Sequence, residues 1–398
     1  MKLTVILEAR FFKTPDEKIW SEVTPDYVFW QRYLKIFDSV EVIARVKDVP
    51  AIPYSYRQVD GKNVSFIPLP YYIGPYQYLA NLITIKKIVK DVVMNAEAVL
   101  LRVPGQLSNS IFSFLKKKNH PYGVEVVGDP YDVFAPGSID HPFRIFFRWW
   151  GKMQLGLQCK GAVAATYVTE NALQKRYPNS FYSIPCSDID IRKEYYVLLP
   201  RIDFGYENKY RLILVGSLAQ LYKSPDILID AIAICKSRNI DVNLKIIGDG
   251  KFKKQLQEHV SRLDLHDSII FMGQLAFGDA VRNELIQSDL FVLPSRTEGM
   301  PRAMIEAMAC GLPCIGSNVG GIPELLTPDN LVQPGNAKDL AEKIVEIITD
   351  PQRMREMSVR NLEKSKEFRN DILEERRQKF YIHLRDQTKQ WINERRVK

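Results

Sequence analysis

RLILVG at residues 211–216 opens a series of short β-rich runs that continues with LKIIG (244–248), SIIFM (268–272), LFVLP (290–294) and PCIG (313–316). Helical patterns separate these runs, at about 225–236, after Lys251, at 279–288 and at 301–310. Strands that alternate with helices in this way indicate right-handed crossovers and a parallel sheet covered on both faces. We therefore predict a doubly wound α/β domain whose ligands bind at the carboxyl ends of its strands.

The first 200 residues follow a similar but less regular order. Strands are predicted at 3–7, 40–46, 64–68, 97–102, 123–127 and 161–166, and helices near 27–37, 76–94, 108–118, 143–157 and 169–176. Residues 178–209 are rich in Tyr, Pro and charged side chains and have no clear periodicity, so we place the linker there. A chain of 398 residues has room for two or three domains. We predict two α/β domains, 1–200 and 201–370, that face each other across a cleft.

The end of the chain is charged, helical in pattern and free of Gly and Pro after Pro351. It is too long to be only the last element of the second domain. We therefore predict that residues 371–398 form a helical tail that returns to the first domain.

The composition is that of an ordinary globular protein, with 46% hydrophobic and 26% charged residues. The net charge of +8 is uneven, because residues 1–200 and 351–398 each carry six excess positive charges and residues 201–350 carry four excess negative ones. Five scattered cysteines without metal-ligand spacing favour a reducing cytoplasm over a disulfide framework. The N-terminus lacks the pattern of a signal peptide, and no run approaches the length of a transmembrane helix. Secreted and integral membrane classes are disfavoured.

One window carries the most chemical information, from Pro294 to Pro313 and on to GGIPE at 320–324. A strand ends at Pro294, the following loop carries Glu298, and Glu306 lies on the helix that begins near Pro301. Two carboxylates at strand ends can accept hydrogen bonds from the hydroxyls of a sugar or a ribose. Glycines before a helix let backbone N–H groups approach a phosphate at the positive helix end.

The whole string PSxxEGxPxxxxEAMAxGxPxxxxxxGGxPE resembles the retaining glycosyltransferases of family 4, closely over residues 210–350 and only in architecture before that. The resemblance implies the GT-B fold, with two Rossmann-like domains across a cleft. It further implies that Glu298 contacts the donor sugar near the reacting centre, Glu306 the ribose and Lys223 the diphosphate. The full set of donor-binding residues that we predict is Glu306, Lys223, Gly216, Ser217, Gly299, Met300, Arg302, Gly320 and Gly321. Two simpler interpretations stay open: an ion pair between Glu306 and Arg302, and a solvated Lys223.

The chain also departs from the family pattern. The usual Gly-Arg pair of the diphosphate loop is Gly216-Ser217 here, so Arg302 is a possible substitute for the missing cation. The Gly-Gly loop expected after the first strand is replaced by residues 8–12, EARFF. Many members place a His after a first-domain strand where this chain has Gly128-Asp129-Pro130. We predict a catalytic role for Asp129, in orienting the acceptor hydroxyl or stabilising positive charge, with a turn start before Pro130 as the alternative.

Two further segments have alternative explanations. Asp188-Ile189-Asp190 has the Asp-x-Asp spacing of a metal-binding diphosphate site, but it falls in the linker, and we interpret it as a turn and expect no metal. Residues 141–153, HPFRIFFRWWGKM, mix aromatic and basic side chains. They fit either a helix at an anionic bilayer surface or a core helix with a basic outer face. Nucleic acid is a weaker partner because no binding motif accompanies the charge.

The sequence thus predicts a retaining glycosyltransferase of polysaccharide or glycoconjugate biosynthesis. It would move a sugar from a UDP- or GDP-sugar to a hydroxyl of a glycan or lipid-linked acceptor, with no cofactor and no metal. We expect it in the cytoplasm, with peripheral contact to the inner face of the membrane as an open possibility. A nucleotide-sugar epimerase of the same architecture and a non-catalytic sugar-nucleotide binding protein are the alternatives.

Overall fold

The computed structural model describes residues 1–22, 25–135, 141–205, 209–276 and 278–396. Within these residues, two mostly parallel sheets are each covered by helices on both faces, which confirms the predicted α/β class. No helix in the described ranges has the length and apolar composition needed to cross a membrane.

The first domain contains the first nine strands and seven helices of the described residues. They are β1 Lys2–Lys13, β2 Ile19–Ser21, α1 Tyr27–Leu34, β3 Ser39–Asp48, β4 Arg57–Gln58, β5 Val64–Leu69, α2 Gly74–Ala80, α3 Leu82–Asn95, β6 Ala98–Val103, α4 Gln106–Lys118, β7 Gly123–Val126, α5 Pro130–Val133, α6 Arg144–Gly161, β8 Ala164–Tyr167, α7 Ala172–Arg176 and β9 Tyr182–Pro185.

The second domain follows the same alternation, and a long helix ends the described chain. Its elements are β10 Tyr210–Val215, α8 Pro225–Ser237, β11 Val242–Ile247, α9 Lys253–Arg262, β12 Ile269–Gly273, α10 Asp279–Gln287, β13 Leu290–Leu293, α11 Arg302–Ala309, β14 Cys314–Ser317, α12 Ile322–Leu325, β15 Leu331–Val332, α13 Ala337–Ile348, α14 Pro351–Ser365 and α15 Asn370–Arg396.

The order of the strands places the ligand-binding edge of each sheet. The first sheet runs β5-β3-β1-β6-β7-β8-β9 with all neighbours parallel, and the short strands β2 and β4 extend it in antiparallel pairing. The second sheet is parallel throughout, in the order β12-β11-β10-β13-β14-β15. Strand order changes direction at β1 in the first sheet and at β10 in the second. Crevices at such points, outside the carboxyl ends of the strands, are where open α/β sheets bind ligands.

The linker that we placed at 178–209 is shorter than predicted. β9 lies inside it and pairs in parallel with β8, so the first sheet continues to Pro185. A four-residue strand at a sheet edge leaves no periodic pattern in the sequence, which is why it was missed. Further on, the Arg201 guanidinium donates to the carbonyl oxygens of Leu285 (3.0 Å) and Cys310 (3.2 Å), which fastens the crossing segment to the second domain. Residues 206–208 lie outside the described ranges.

The final helix returns to the first domain as predicted. Phe380 and Leu384 of α15 cover β7 at Gly123, where a Cβ atom would lie 2.9 Å from Leu384 Cδ2. Tyr381 is fully buried and donates a hydrogen bond of 2.8 Å to Glu125 Oε1 on the same strand. The returning helix therefore closes the first domain on the face opposite α3, α4 and α6. Residues 397–398 of the predicted tail lie outside the described ranges.

Candidate functional site

The carboxyl ends of β10 and β13 hold a buried ion pair. Lys223 Nζ donates a hydrogen bond of 2.9 Å to Glu298 Oε1, and the two side chains are only 12% and 8% exposed. Ser295 Oγ donates to the same carboxylate oxygen at 2.9 Å. Burial by itself lowers the pKa of Lys223, but the Glu298 carboxylate outweighs it and raises that pKa above its ordinary value. The predicted sugar-contacting and diphosphate-contacting residues therefore lie side by side, and the interpretation of Lys223 as a solvated cation is wrong.

Gly216 makes room for this lysine. A Cβ atom on Gly216 would lie 2.0 Å from Lys223 Cδ and 2.5 Å from Cε, so the aliphatic stem crosses directly over the glycine. The neighbouring Ser217 Oγ accepts a hydrogen bond of 3.2 Å from the N–H of Ala219, which stabilises the turn after β10. Gly216 and Ser217 thus shape the loop and position Lys223, and neither lines the cleft itself.

Glu306 lies on α11 and faces the cleft between the domains. Helix α11 buries Met304, Ile305 and Met308 on one side. Arg302 and Glu306 are four residues apart and therefore share a face of the helix, away from this buried side. Burial raises the pKa of Glu306 to about 7, although Arg302 and Lys223 act to lower it. Among the described residues no hydrogen bond or salt bridge engages this carboxylate, so the simple ion pair with Arg302 is not formed. Glu306 is available to accept hydrogen bonds from a ligand.

The Gly320-Gly321 loop lies directly against the Glu298 turn. Gly320 has φ +54, and a Cβ atom there would lie 1.8 Å from the carbonyl oxygen of Glu298. The N–H of Gly321 donates to the Gly299 carbonyl oxygen at 2.7 Å. The N–H of Gly321 is thus engaged within the protein, so a phosphate at this helix end would have to be bound by other amides near Gly320 and Gly321. These glycines allow the loop to hold Glu298 in place.

The cleft itself has a volume of about 670 Å³ and is lined by both domains. Five of the predicted residues lie on its second-domain wall: Glu298, Gly299, Met300, Arg302 and Glu306. In the described part of the chain, no group of three or more His, Cys, Asp or Glu side chains is arranged to hold a metal ion. A pocket of this size with a few placed polar groups is typical of a small-molecule site.

Asp129 does not lie in this cleft. Its carboxylate caps α5 by accepting from the Tyr131 N–H at 2.9 Å, accepts from the Tyr177 hydroxyl at 2.5 Å, and pairs with Arg176. The residue is 6% exposed and is absent from the lining of the cleft. Both carboxylate oxygens are committed to structural partners, which speaks against the predicted catalytic role. The side chain instead caps the short helix that begins at Pro130, where the alternative placed a turn start.

The first-domain wall includes two arginines that the sequence did not single out and an aspartate that we interpreted as part of a turn. Arg32 on α1, Arg102 on β6 and Asp188 after β9 line the cleft, and Arg102 Nη2 donates to Asp188 Oδ2 at 2.5 Å. Asp188 is thus an ion-paired residue of the cleft and not a free turn in a linker. Burial raises the pKa of Asp188, but Arg102 and Arg32 outweigh it and hold that pKa below its ordinary range. No local sequence signal could have placed Asp188 in the cleft, because the strand before it, β9, leaves no periodic pattern.

Residues 8–12 also differ from the glycine loop that the resemblance leads one to expect. They continue β1, and the Glu8 carboxylate accepts from the Leu107 N–H at 2.9 Å and from the Tyr72 hydroxyl at 2.7 Å. Glu8 therefore caps the first turn of α4, a helix whose own N-cap is Gly105. The N–H group of Leu107 at this helix end is thus already engaged by a protein carboxylate.

Glu324 of the GGIPE segment joins the two domains. Its carboxylate accepts three backbone N–H groups at the start of α7, from Glu170 (2.6 Å), Asn171 (2.9 Å) and Ala172 (2.7 Å). A carboxylate at a helix N-terminus is favoured by the helix dipole as well as by the hydrogen bonds. This contact holds the second domain against the first beside the cleft, and sequence reasoning gave Glu324 no role.

A second cavity of about 580 Å³ lies between α4, α6 and α15, with His120 and Trp391 in its wall. Pro121, Tyr122 and Val163, just before β7 and β8, also line it, so it lies at the amino ends of these strands. Ligands of open α/β sheets bind at the other end. The interdomain cleft, which also holds Glu298 and Glu306, is therefore the candidate site.

Known proteins with similar sequences include glycosyltransferases. Residues 201–364 match the family glycosyl transferases group 1. Protein CapJ of Staphylococcus aureus is 29% identical over 343 residues, which are 83% of each chain. A GDP-mannose-dependent monoacylated alpha-(1-6)-phosphatidylinositol monomannoside mannosyltransferase of Corynebacterium glutamicum is 30% identical over 47% of this chain, and the match spans about half (53%) of that relative.

Solved structures resemble the whole chain. Sucrose-phosphate synthase from Thermosynechococcus elongatus has a TM-score of 0.68 at 16% identity, covering 96% of this chain and 99% of that one. Anabaena Alr3699/HepE in complex with UDP and glucose has a TM-score of 0.61 at 16% identity, covering 99% of both. At such identities the likeness concerns the fold, and it confirms the predicted GT-B architecture.

Proposed function

We propose that this chain, whose residues 201–364 match the family glycosyl transferases group 1, moves a sugar from a UDP- or GDP-sugar to a hydroxyl group of an acceptor glycan. The acceptor glycan is free or lipid-linked and belongs to polysaccharide or glycoconjugate biosynthesis. The epimerase and the non-catalytic binding protein are not favoured, because the relatives with assigned activities are transferases.

One observation carries this proposal: Lys223, Glu298 and Glu306 converge at the carboxyl ends of the second-domain strands, beside a cleft of about 670 Å³. A lysine in a mostly dry site suits a diphosphate, because its charge is poorly screened there. The free carboxylate of Glu306 suits the vicinal hydroxyls of a ribose, and Glu298 suits those of the sugar. The arrangement thus matches the three parts of a nucleotide sugar.

In the proposed mechanism the protein acts mainly through electrostatics. Negative charge grows on the leaving diphosphate as the bond to the sugar breaks, and Lys223 is placed to stabilise it. Binding of the diphosphate takes Lys223 from Glu298, which frees Glu298 to hold the sugar. The resemblance to retaining enzymes supports attack by the acceptor from the face that the diphosphate leaves. No metal and no cofactor takes part in this proposal, and the Glu324 contact joins the two domains beside the cleft.

The activity is tested by incubating the protein with UDP- and GDP-sugars and a panel of glycan acceptors, with and without EDTA. The proposal predicts a glycoside product whose anomeric proton coupling in NMR matches that of the donor, and equal rates in EDTA. An inverted product contradicts retention, loss of activity in EDTA contradicts metal independence, and interconversion of free nucleotide sugars without acceptor establishes the epimerase instead.

We also propose that α6 touches an anionic membrane surface from the cytoplasm. Both interpretations of this segment were incomplete, because the helix buries Leu155 and Cys159 but leaves an apolar stripe exposed. The stripe is formed by Phe143, Ile145, Phe146, Trp149 and Met153, with Phe146 and Trp149 exposed by 61% and 56%. Exposed aromatic side chains along one helix face are typical of interfacial helices.

Exposed lysines of the first domain support contact with an anionic membrane surface. Lys116, Lys117 and Lys118 at the end of α4 and Lys160 on α6 are exposed, and no described residue pairs with them. Arg148, in contrast, is used internally: its Nε donates to the Tyr131 carbonyl oxygen at 3.0 Å and its guanidinium covers the Tyr131 ring. The free lysines, and not Arg148, are the cations that would meet lipid head groups.

Sedimentation with vesicles of anionic and neutral phospholipids tests the surface. Changing Phe146 and Trp149 together to Ser is expected to reduce binding to anionic vesicles at low salt. The matched control is Val359→Ser, which alters a similarly exposed apolar side chain on α14. Equal sedimentation of both variants and the wild type contradicts a membrane role for α6.

A further inference from the structure

The first-domain wall of the cleft is shaped by α1. The helix begins at Asp26, whose carboxylate accepts from the Phe29 N–H at 3.2 Å and so fixes the first turn. Phe29 and Arg32 are three residues apart and lie on one face of the helix. Both line the cleft, together with Val28. This wall therefore combines apolar surface with a cation.

Arg32 and Arg102, two of the arginines that line the cleft, differ in their contacts. Arg102 is satisfied: it pairs with Glu125 and with Asp188. Arg32 lies with its guanidinium carbon 4.1 Å above the Phe29 ring and its Nη1 3.7 Å from Asp188 Oδ1. Among the described residues it makes no hydrogen bond, although its side chain is only 14% exposed. A guanidinium has five N–H donors, and leaving them unpaired in a mostly buried site is costly.

Arg32 belongs to a buried cluster of charged side chains beneath the cleft. The cluster contains Arg32, Arg102 and Arg377, with Glu125 and Asp188 among its carboxylates. Arg377 reaches in from α15 and donates to the carbonyl oxygens of Ser187 and Ile189. Among the described residues, Arg32 is therefore the arginine of this cluster whose N–H donors make no hydrogen bond.

We propose that Arg32 is a specificity-determining residue that binds a carboxylate or phosphate group of the acceptor. This inference rests on the proposed function and adds the chemical class of the acceptor, a glycan with an anionic group close to the attacking hydroxyl. A guanidinium held over an aromatic ring can offer its fork of donors to a planar oxyanion. The acceptor is the source favoured by position, because Arg32 lies on the first-domain wall and the diphosphate-binding Lys223 lies in the second domain.

The experiment compares the wild type with Arg32→Gln, Arg32→Lys and the control Arg238→Gln, which removes an exposed charge on the second domain outside the cleft. Thermal melting first confirms that each variant is folded. Transfer from the active nucleotide sugar is then measured with two matched acceptors, a methyl glucoside and the corresponding methyl glucuronide. Binding of UDP or GDP is measured by calorimetry, and binding of both glycosides in the presence of the nucleotide by saturation-transfer NMR.

We expect the wild type to favour the glucuronide over the glucoside by about tenfold or more in kcat/KM, the effect of one hydrogen bond to a charged group. Arg32→Gln should lose this preference through the acceptor KM, and Arg32→Lys should keep part of it. Affinity for the nucleotide should stay within about twofold of the wild type in all variants, and Arg238→Gln should match the wild type throughout.

Three results overturn the inference. Equal use and equal NMR binding of the two acceptors by the wild type would show no anionic preference. An equal loss of kcat/KM for both acceptors in Arg32→Gln would show a merely structural role. A loss of nucleotide affinity in Arg32→Gln would assign Arg32 to the donor diphosphate. The proposed function fails separately, when neither UDP nor GDP binds and no nucleotide sugar is used with any acceptor.

Discussion

Gly216→Ala should weaken nucleotide binding while leaving the protein folded. The added Cβ would lie 2.0 Å from Lys223 Cδ and 2.5 Å from Cε, and real Cβ atoms do not approach other atoms within 3.0 Å. The clash is with a flexible side chain, so the lysine moves and the backbone stays. Its Nζ then leaves Glu298, 2.9 Å away in the wild type, and no longer reaches the diphosphate position.

The size of the effect follows from the contact that is lost. A hydrogen bond to a charged group contributes about 1.5–3 kcal/mol. Since 1.4 kcal/mol corresponds to a factor of ten, the Kd for UDP or GDP should rise roughly 10- to 150-fold. Lys223→Met should produce a similar loss, because it removes the same charge.

Calorimetry on a double-mutant cycle checks the reasoning. If Gly216→Ala acts through Lys223, the double variant should bind the nucleotide no more weakly than Lys223→Met alone. The matched control is Gly156→Ala on α6, where an added Cβ meets nothing within 4 Å and binding should not change. Additive losses in the double variant would refute the route through Lys223, and so would unchanged affinity in Gly216→Ala.

Three other predictions test Glu306 in the cleft, the interdomain contact of Glu324 and the structural role of Asp129. Burial raises the pKa of Glu306 from 4.5 to about 7, so the folded state keeps a proton that the unfolded state loses between these values. The free energy of unfolding, measured by denaturant titration, should therefore fall as pH rises from about 4.5 to about 7. Glu306→Gln should remove this slope. Parallel pH profiles of the wild type and Glu306→Gln would contradict the raised pKa of a buried Glu306 carboxyl group. Glu324→Ala should increase the radius of gyration in X-ray scattering and speed hydrogen exchange at residues 170–172, because it deletes the acceptor of three interdomain hydrogen bonds; identical scattering and exchange would show that other contacts hold the domains. Asp129→Ala should lower the free energy of unfolding by about 1.5–3 kcal/mol, because hydrogen bonds to its charged group are lost, but leave kcat near that of the wild type; a large loss of kcat at unchanged stability would return Asp129 to catalysis.

The second domain was predictable because each of its strands and helices leaves a pattern in a short stretch of the sequence. Each parallel strand, such as 211–216, shows as a short apolar run, and each covering helix shows an amphipathic pattern or a Pro at its start. The first five strands of this domain begin and end within about two residues of the predicted runs, and only the two-residue strand β15 was not predicted. Lys223, Glu298 and Glu306 came from a resemblance over many positions, and the structure places the first two 2.9 Å apart although 75 residues separate them.

The first-domain wall was not predictable for the opposite reason. Arg102 and Asp188 are 86 residues apart, and nothing local shows that they meet. Asp129 and Asp188 both follow strands, yet one is fully engaged in capping and the other faces the cleft, because only the packing of α1, α5 and α7 decides which carboxylate meets which arginine. Strands as short as β2 and β4 leave no periodic signal at all.

A crystal structure of the protein with UDP or GDP tests the proposed donor site. We expect the nucleotide in the interdomain cleft, with a diphosphate oxygen within hydrogen-bond distance of Lys223 Nζ and the ribose hydroxyls at the Glu306 carboxylate. Lys223 should then have left its 2.9 Å contact with Glu298. A nucleotide bound instead in the cavity beside His120 and Trp391, or in the cleft without contact to Lys223 and Glu306, would contradict it.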